Sequence, residues 1–173
     1  QRNGVNINTL YEKIRVTQDR LDNLPTPPVH SVEVTPGRLA GMIDHTLLKP
    51  EARISQIVTL CQEAIDYGFA SVCVNPIWVS ICAEHLEKHP VDVCTVVGFP
   101  LGAHTTAIKV TETEQALRDG AREIDMVLTI GWLKSGYFDQ VFQDIQAVVK
   151  TAAPHPVKVI LETAALSSWQ ILK

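Results

Sequence analysis

From Arg38 onward, short runs rich in β-branched residues alternate with longer runs whose apolar positions recur at helical spacing. The short runs predict strands at Gly41–Leu47, Ala70–Asn75, Asp92–Phe99, Glu123–Ile130 and Val157–Thr163. Between the first two, Ile54, Ile57, Val58, Cys61, Ala64 and Ile65 mark one helical face, which stops at Gly68, a residue tolerant of positive φ. A second helix over Ile77–Lys88 is stopped by Pro90, and a third over Thr106–Asp119 by Gly120. Tyr137, Val141, Ile145 and Val148 define a fourth that ends before Pro154, and Ser167-Ser168 offers an N-cap to a fifth.

The strands start roughly 29 residues apart, the size of one βα unit, and repetition at that period means a parallel sheet with crossover helices. An open doubly wound sheet and a closed (β/α)8 TIM barrel both produce it. A dinucleotide-binding sheet shows Gly-x-Gly-x-x-Gly after its first strand, where this chain reads Leu47-Leu48-Lys49-Pro50. A barrel places polar, reactive side chains on the inward face of several strands instead. Strand parity shows that pattern here: Asp44 and Thr46 share one face, as do Cys73 and Asn75, then Asp125, Val127 and Thr129, then Lys158, Ile160 and Glu162. The opposite parity is apolar (Ile43, Val72, Val74, Ile124, Met126, Leu128, Val157, Val159, Leu161) and suits packing against helices.

Charged side chains in buried strands need partners. Asp125 and Lys158 lie on consecutive strands and are within easy reach of each other, which makes them the leading proton-handling pair. A structural ion pair is the competing reading of these two residues. Cys73 alone reads as a small core residue before a nucleophile, since no His is arranged beside it.

Residues 1–36 differ in character. Ile7, Leu10, Tyr11 and Ile14 predict a short amphipathic helix, followed by a stiff Pro-rich linker that includes Thr35-Pro-Gly37. The organisation expected is a helical extension and linker over 1–36 and a partial barrel over 37–173. With 46% hydrophobic and 20% charged residues the chain reads as one soluble domain plus a tail. A net charge of −4 without clustered Lys and Arg argues against a nucleic-acid surface. The longest apolar run is too short for a membrane span. Four cysteines without a Cys-x-x-Cys motif read as reduced thiols of a cytoplasmic protein. Cys82, His85 and His89 fall on one helix at ligand-like spacing, but that helix belongs on the outside of a barrel, and no metal site is assigned to it. His45 has the parity opposite to Asp44 and reads as a hydrogen-bonded core or rim histidine. Gly98-Phe-Pro-Leu-Gly102 has the character of a tight active-site loop but lacks a nucleotide P-loop ending.

Five ordered segments, Met42-Ile-Asp-His-Thr-Leu-Leu-Lys-Pro50, Val72-Cys-Val-Asn-Pro76, Val97-Gly-Phe-Pro-Leu-Gly102, Glu123-Ile-Asp-Met-Val127 and Val157-Lys-Val-Ile-Leu-Glu-Thr163, resemble the deoxyribose-phosphate aldolases, from about residue 39 to the end. The resemblance implies the first five βα units of a TIM barrel. It implies reversible cleavage of 2-deoxy-D-ribose 5-phosphate to D-glyceraldehyde 3-phosphate and acetaldehyde, in carbohydrate and deoxyribonucleotide degradation. The chemistry is that of a lysine Schiff base, with no metal or other cofactor. By the same resemblance Asp125 is the proton donor and acceptor, Lys158 the neighbouring lysine that assists it, and Asp44, Thr46 and Cys73 belong to the substrate-side and relay shell. The partners implied are a small phosphorylated sugar, acetaldehyde and further copies of the chain, as a dimer or tetramer.

The family's Schiff-base lysine is on the sixth strand, so it is expected beyond residue 173, together with the phosphate-binding loops. The chain alone is therefore expected to be inactive. Two alternatives stand beside this reading: an inactive half-barrel acting in interaction or as a folding unit, and another Schiff-base barrel lyase that uses Lys158 itself.

Overall fold

The computed structural model describes residues 34–171. The helix and most of the linker expected over 1–36 lie outside the described residues. The end of that linker is helical: Thr35 caps α1 (Pro36–Ala40), its Oγ1 accepting from the Arg38 N–H at 3.3 Å. Proline in the first turn, where no N–H partner is required, makes this a helix start.

Five strands follow, β1 (Asp44–Leu47), β2 (Ser71–Val74), β3 (Asp92–Val97), β4 (Glu123–Val127) and β5 (Val157–Ile160). All neighbouring pairs are parallel, and the strand order is the chain order, β1-β2-β3-β4-β5. A doubly wound sheet reverses its order at a switch point, and this one does not. The sheet also curls. In a flat sheet β1 and β5 would stand about 19 Å apart, yet the Lys158 ammonium of β5 donates to Asp44 Oδ2 of β1 at 2.7 Å. The five strands form an arc of a barrel, with a concave inner face and helices on the convex side.

The helices are α2 (Ile54–Tyr67), α3 (Val79–Leu86, entered through a 3₁₀ turn at Pro76–Trp78), α4 (Thr106–Arg118), α5 (Ile130–Lys134), α6 (Phe138–Ala152) and α7 (Ser168–Ile171). No described helix is long and apolar enough to cross a membrane. Gly68 ends α2 in the left-handed region at φ 67°, as its place after the apolar face requires. The main core lies between the sheet and these helices. Val72, Val74, Val93, Ile124 and Met126 pack there against Ile57, Leu60, Cys61, Ala64, Val79, Cys82 and Val148.

The strands are shorter than the apolar runs that announce them. β4 ends at Val127, and the chain turns into α5, a helix not expected from the sequence. Thr129 therefore leaves the inner-face set, and its hydroxyl turns to the helix side. β5 ends at Ile160. Glu162 sits at φ 52° and no longer shares the Lys158 face, while Leu161 is exposed instead of packed against helices. Ile43 precedes β1 and is likewise partly exposed.

The loop after β3 closes on itself through the Gly102 N–H, which donates to Gly98 O at 2.8 Å. A Cβ at Gly102 would lie 2.0 Å from the Leu128 carbonyl oxygen, at a φ of 64°. Only glycine fits there, and the fit seats this loop against the end of β4.

Candidate active site

Parallel pairing sets the inner face row by row. Thr46 pairs with Cys73, Cys73 with Cys94, Cys94 with Glu123, Val96 with Asp125, and Asp125 with Lys158. Cys73, Cys94 and Val96 form a small buried cluster on this side, flanked by Leu48, Phe99 and Ile160. It is separate from the larger helix-side core.

Lys158 is the hub. Its ammonium donates to Asp44 Oδ2 at 2.7 Å and to Glu123 Oε1, and stands 3.3 Å from Asp125 Oδ1. Burial works against its charge, but the hydrogen bonds to Asp44 and Glu123, with Asp125 nearby, hold its pKa above the ordinary lysine range. Asp44 also accepts from Ser71 Oγ at 2.7 Å. Burial pushes the Asp44 carboxyl upward, yet the bonds from Lys158 and Ser71 outweigh it and leave the pKa below 3.8.

The sign of the resulting pH dependence follows. The Asp44 contribution to stability is present above pH about 3.8, its unfolded value, and is lost as pH falls through the lower folded value. The Lys158 contribution is present below its unfolded value and lost only at strongly alkaline pH, as pH rises through the raised folded one. Urea midpoints measured from pH 7 down to pH 2 are expected to fall most steeply below pH about 4. Asp44→Asn should flatten that acid limb. An unchanged limb would show that Asp44 carries no folded-state ion pair.

Asp125 is different from Asp44. Its Oδ1 is buried and accepts no hydrogen bond, although the Lys158 ammonium is within ion-pair distance. A buried carboxylate oxygen left without a donor is costly in a purely structural ion pair.

The sequence reading brought Asp44, Cys73, Asp125 and Lys158 to one face, and the geometry places them together. Thr46 lies in the same row as Cys73 but is exposed, and its hydroxyl donates back to the Asp44 carbonyl at 2.9 Å. Glu123 and Cys94 were missed. Glu123 has the parity of Asp125, so the signal was present in the strand itself. His45 is a rim residue, its Nε2 2.7 Å from Glu63 Oε2. Cys82, His85 and His89 do not converge: Cys82 is buried, and the His85 ring bonds to the Ile81 carbonyl.

A second charged group was also missed. Lys109, fully buried on α4, donates to Val127 O at 2.9 Å, Thr129 Oγ1 at 2.7 Å and Asp144 Oδ2 at 2.6 Å. Asp144 is completed by Thr106 Oγ1 at 2.7 Å on its other oxygen. Lys109, Thr113 and Ala116 are the buried stripe of α4 at helical spacing, so a lysine in register with the helix's inward positions was the available signal.

A sequence model described as DeoC/LacD family aldolase matches residues 38–168. Deoxyribose-phosphate aldolase 2 of Staphylococcus aureus is 58% identical over 134 residues, which are 78% of this chain and 61% of that protein. A Coccidioides immitis structure, a candidate deoxyribose-phosphate aldolase, superposes with a TM-score of 0.82 at 38% identity, over 94% of this chain and 65% of that one. The tetrameric deoxyribose phosphate aldolase of Aeropyrum pernix gives a TM-score of 0.73 at 32% identity, over 90% of this chain and 62% of that one. The chain thus spans less than two thirds of the length of these relatives. The inner-face cluster lies wholly within the matched segment, on the strands of a partial TIM barrel. On these grounds the chain belongs to the DeoC/LacD family of aldolases.

Proposed function

We propose that these residues carry the proton-handling side of a deoxyribose-phosphate aldolase. The reaction is reversible cleavage of 2-deoxy-D-ribose 5-phosphate to D-glyceraldehyde 3-phosphate and acetaldehyde through a lysine imine. The observation that carries the reading is Asp125 Oδ1, buried, without a hydrogen-bond donor and 3.3 Å from Lys158 Nζ.

In such a reaction the protonated imine serves as an electron sink, so the carbanion forms as an enamine. A carboxylate beside the reacting carbon then moves protons on and off the carbinolamine and the enamine carbon. Asp125 is proposed for that role. Lys158 is proposed as a fixed cation beside Asp125 that lowers the pKa of the lysine that forms the imine. Asp44 and Glu123 hold Lys158 in position and Cys73 lines the floor. Thr46, exposed in the row of Cys73, is proposed on the substrate side.

Lys158 is ill suited to be the imine-forming amine. A nucleophilic lysine must be neutral, and three carboxylates around its ammonium favour the charged form. The imine-forming lysine is accordingly proposed to lie outside these 173 residues. An inactive interaction module is the weaker reading, since it leaves the buried Asp125 Oδ1, which accepts no hydrogen bond, without a purpose. The proposed setting is the cytoplasm, with the protein acting as a homo-oligomer on a small phosphorylated sugar and using no cofactor.

The test is acetaldehyde with borohydride on the 173-residue chain, read by intact mass and peptide mapping. No reduced adduct is expected on Lys158. Stoichiometric trapping there would overturn the assignment and make Lys158 the nucleophile.

A further inference from the structure

Cys73 and Cys94 are direct partners across β2 and β3, and both thiols are buried on the inner face. Their sulfurs and a carboxylate oxygen of Asp125 all lie within 4.8 Å of one another. One oxygen of that carboxylate, Oδ1, is buried and accepts no hydrogen bond. Two thiols and a carboxylate converging this closely form three corners of a tetrahedral site for a soft divalent cation. Thiolates favour zinc and cadmium over magnesium or calcium, so the ligand class is a thiophilic d¹⁰ ion.

We infer that Cys73, Cys94 and Asp125 form a binding site for a thiophilic divalent cation, and that its occupation blocks the aldolase centre. Both thiols lose their protons to solvent on binding, the cation gains two Sγ bonds and one Oδ bond, and a fourth position stays open. No oxidation occurs. The ammonium of Lys158 must give up its place beside Asp125, and it can do so because Asp44 and Glu123 continue to hold it. The open inner face, where Lys158 is 44% exposed, is the route of entry. The inhibitory consequence rests on Asp125 acting in proton transfer; the binding itself does not.

Cys61 and Cys82 provide an internal control. They too are buried and adjacent, on α2 and α3, but they lie in the helix-side core and no carboxylate joins them in a three-ligand group among the described residues. The experiment is a titration of the reduced chain with cadmium, followed by the thiolate-to-cadmium absorption band. One cation per chain is expected. Cys73→Ser and Cys94→Ser should each weaken binding at least about tenfold, and so should Asp125→Asn, while Cys61→Ser and Cys82→Ser leave it unchanged. Because a serine in a packed strand can upset folding, alkylation of the unaltered chain gives a second readout: cadmium should protect Cys73 and Cys94 and not Cys61 or Cys82. A band that survives loss of Cys73, or protection confined to Cys61 and Cys82, overturns the site. Cadmium bound at Cys73 and Cys94 in an aldolase of the relatives' length that keeps its turnover would leave the site standing, but would overturn both the inhibition and the proton-transfer role of Asp125.

Discussion

Asp125→Asn, in a protein of the relatives' length that carries these residues, is expected to lower retro-aldol turnover by about two to four orders of magnitude, the usual worth of a positioned acid–base group. The amide keeps the shape of the carboxylate but cannot accept and return a proton. Lys158 retains Asp44 and Glu123, so the neighbouring charge network survives the change. Folding should therefore be little altered, and the urea midpoint should stay near that of the parent. If Asp125 acts only once the imine has formed, kcat and kcat/KM should fall together while KM stays put. A structural ion pair makes the opposite forecast: stability drops and the turnover of the folded fraction is unchanged. Measuring both quantities on one protein separates the two readings.

Much of this site was legible because a strand's side chains alternate with a period of two. Once β1, β2, β4 and β5 were recognised, parity alone put Asp44, Cys73, Asp125 and Lys158 on one face. Glycine and proline then set the helix ends at Gly68, Pro90 and Gly120, close to the observed ends of α2, α3 and α4. What remained hidden depends on curvature and on distant packing. The Lys158–Asp44 contact joins the first strand to the fifth, and no local pattern specifies how tightly a sheet curls. α5 was hidden because Glu123 to Ile130 reads as one continuous alternating strand, and Thr129, where it ends, is held by a bond to a lysine 20 residues earlier. Sequence spacing cannot announce such a partner.

That lysine supports the largest expected effect on stability. Lys109→Met should destabilise the protein by about 3–5 kcal/mol, because it leaves Asp144, only 1% exposed, as a buried charge without its counter-ion. Three acceptors lose a donor at once: Val127 O, Thr129 Oγ1 and Asp144 Oδ2. The loss is a large share of the about 5–15 kcal/mol that holds a typical domain folded. It should also loosen the turn between β4 and α5 and the loop after β3, since the Lys109 chain lies directly under Gly98. Lys109→Met with Asp144→Leu tests the cause. Removing both charges should recover part of the loss, as replacement of a whole buried pair often does. Recovery should be incomplete, because the buried Thr129 hydroxyl and the Val127 carbonyl each remain short of a partner, at about 1–3 kcal/mol apiece, and the half-buried Thr106 hydroxyl loses its acceptor. Urea denaturation of the parent, the two single variants and the double variant gives the coupling directly. A Lys109→Met protein within about 1 kcal/mol of the parent, the usual range for an exposed ion pair, would mean that the ammonium is not buried against Asp144. A double variant no better than the worse single one would mean that packing, and not the stranded charge, sets the cost.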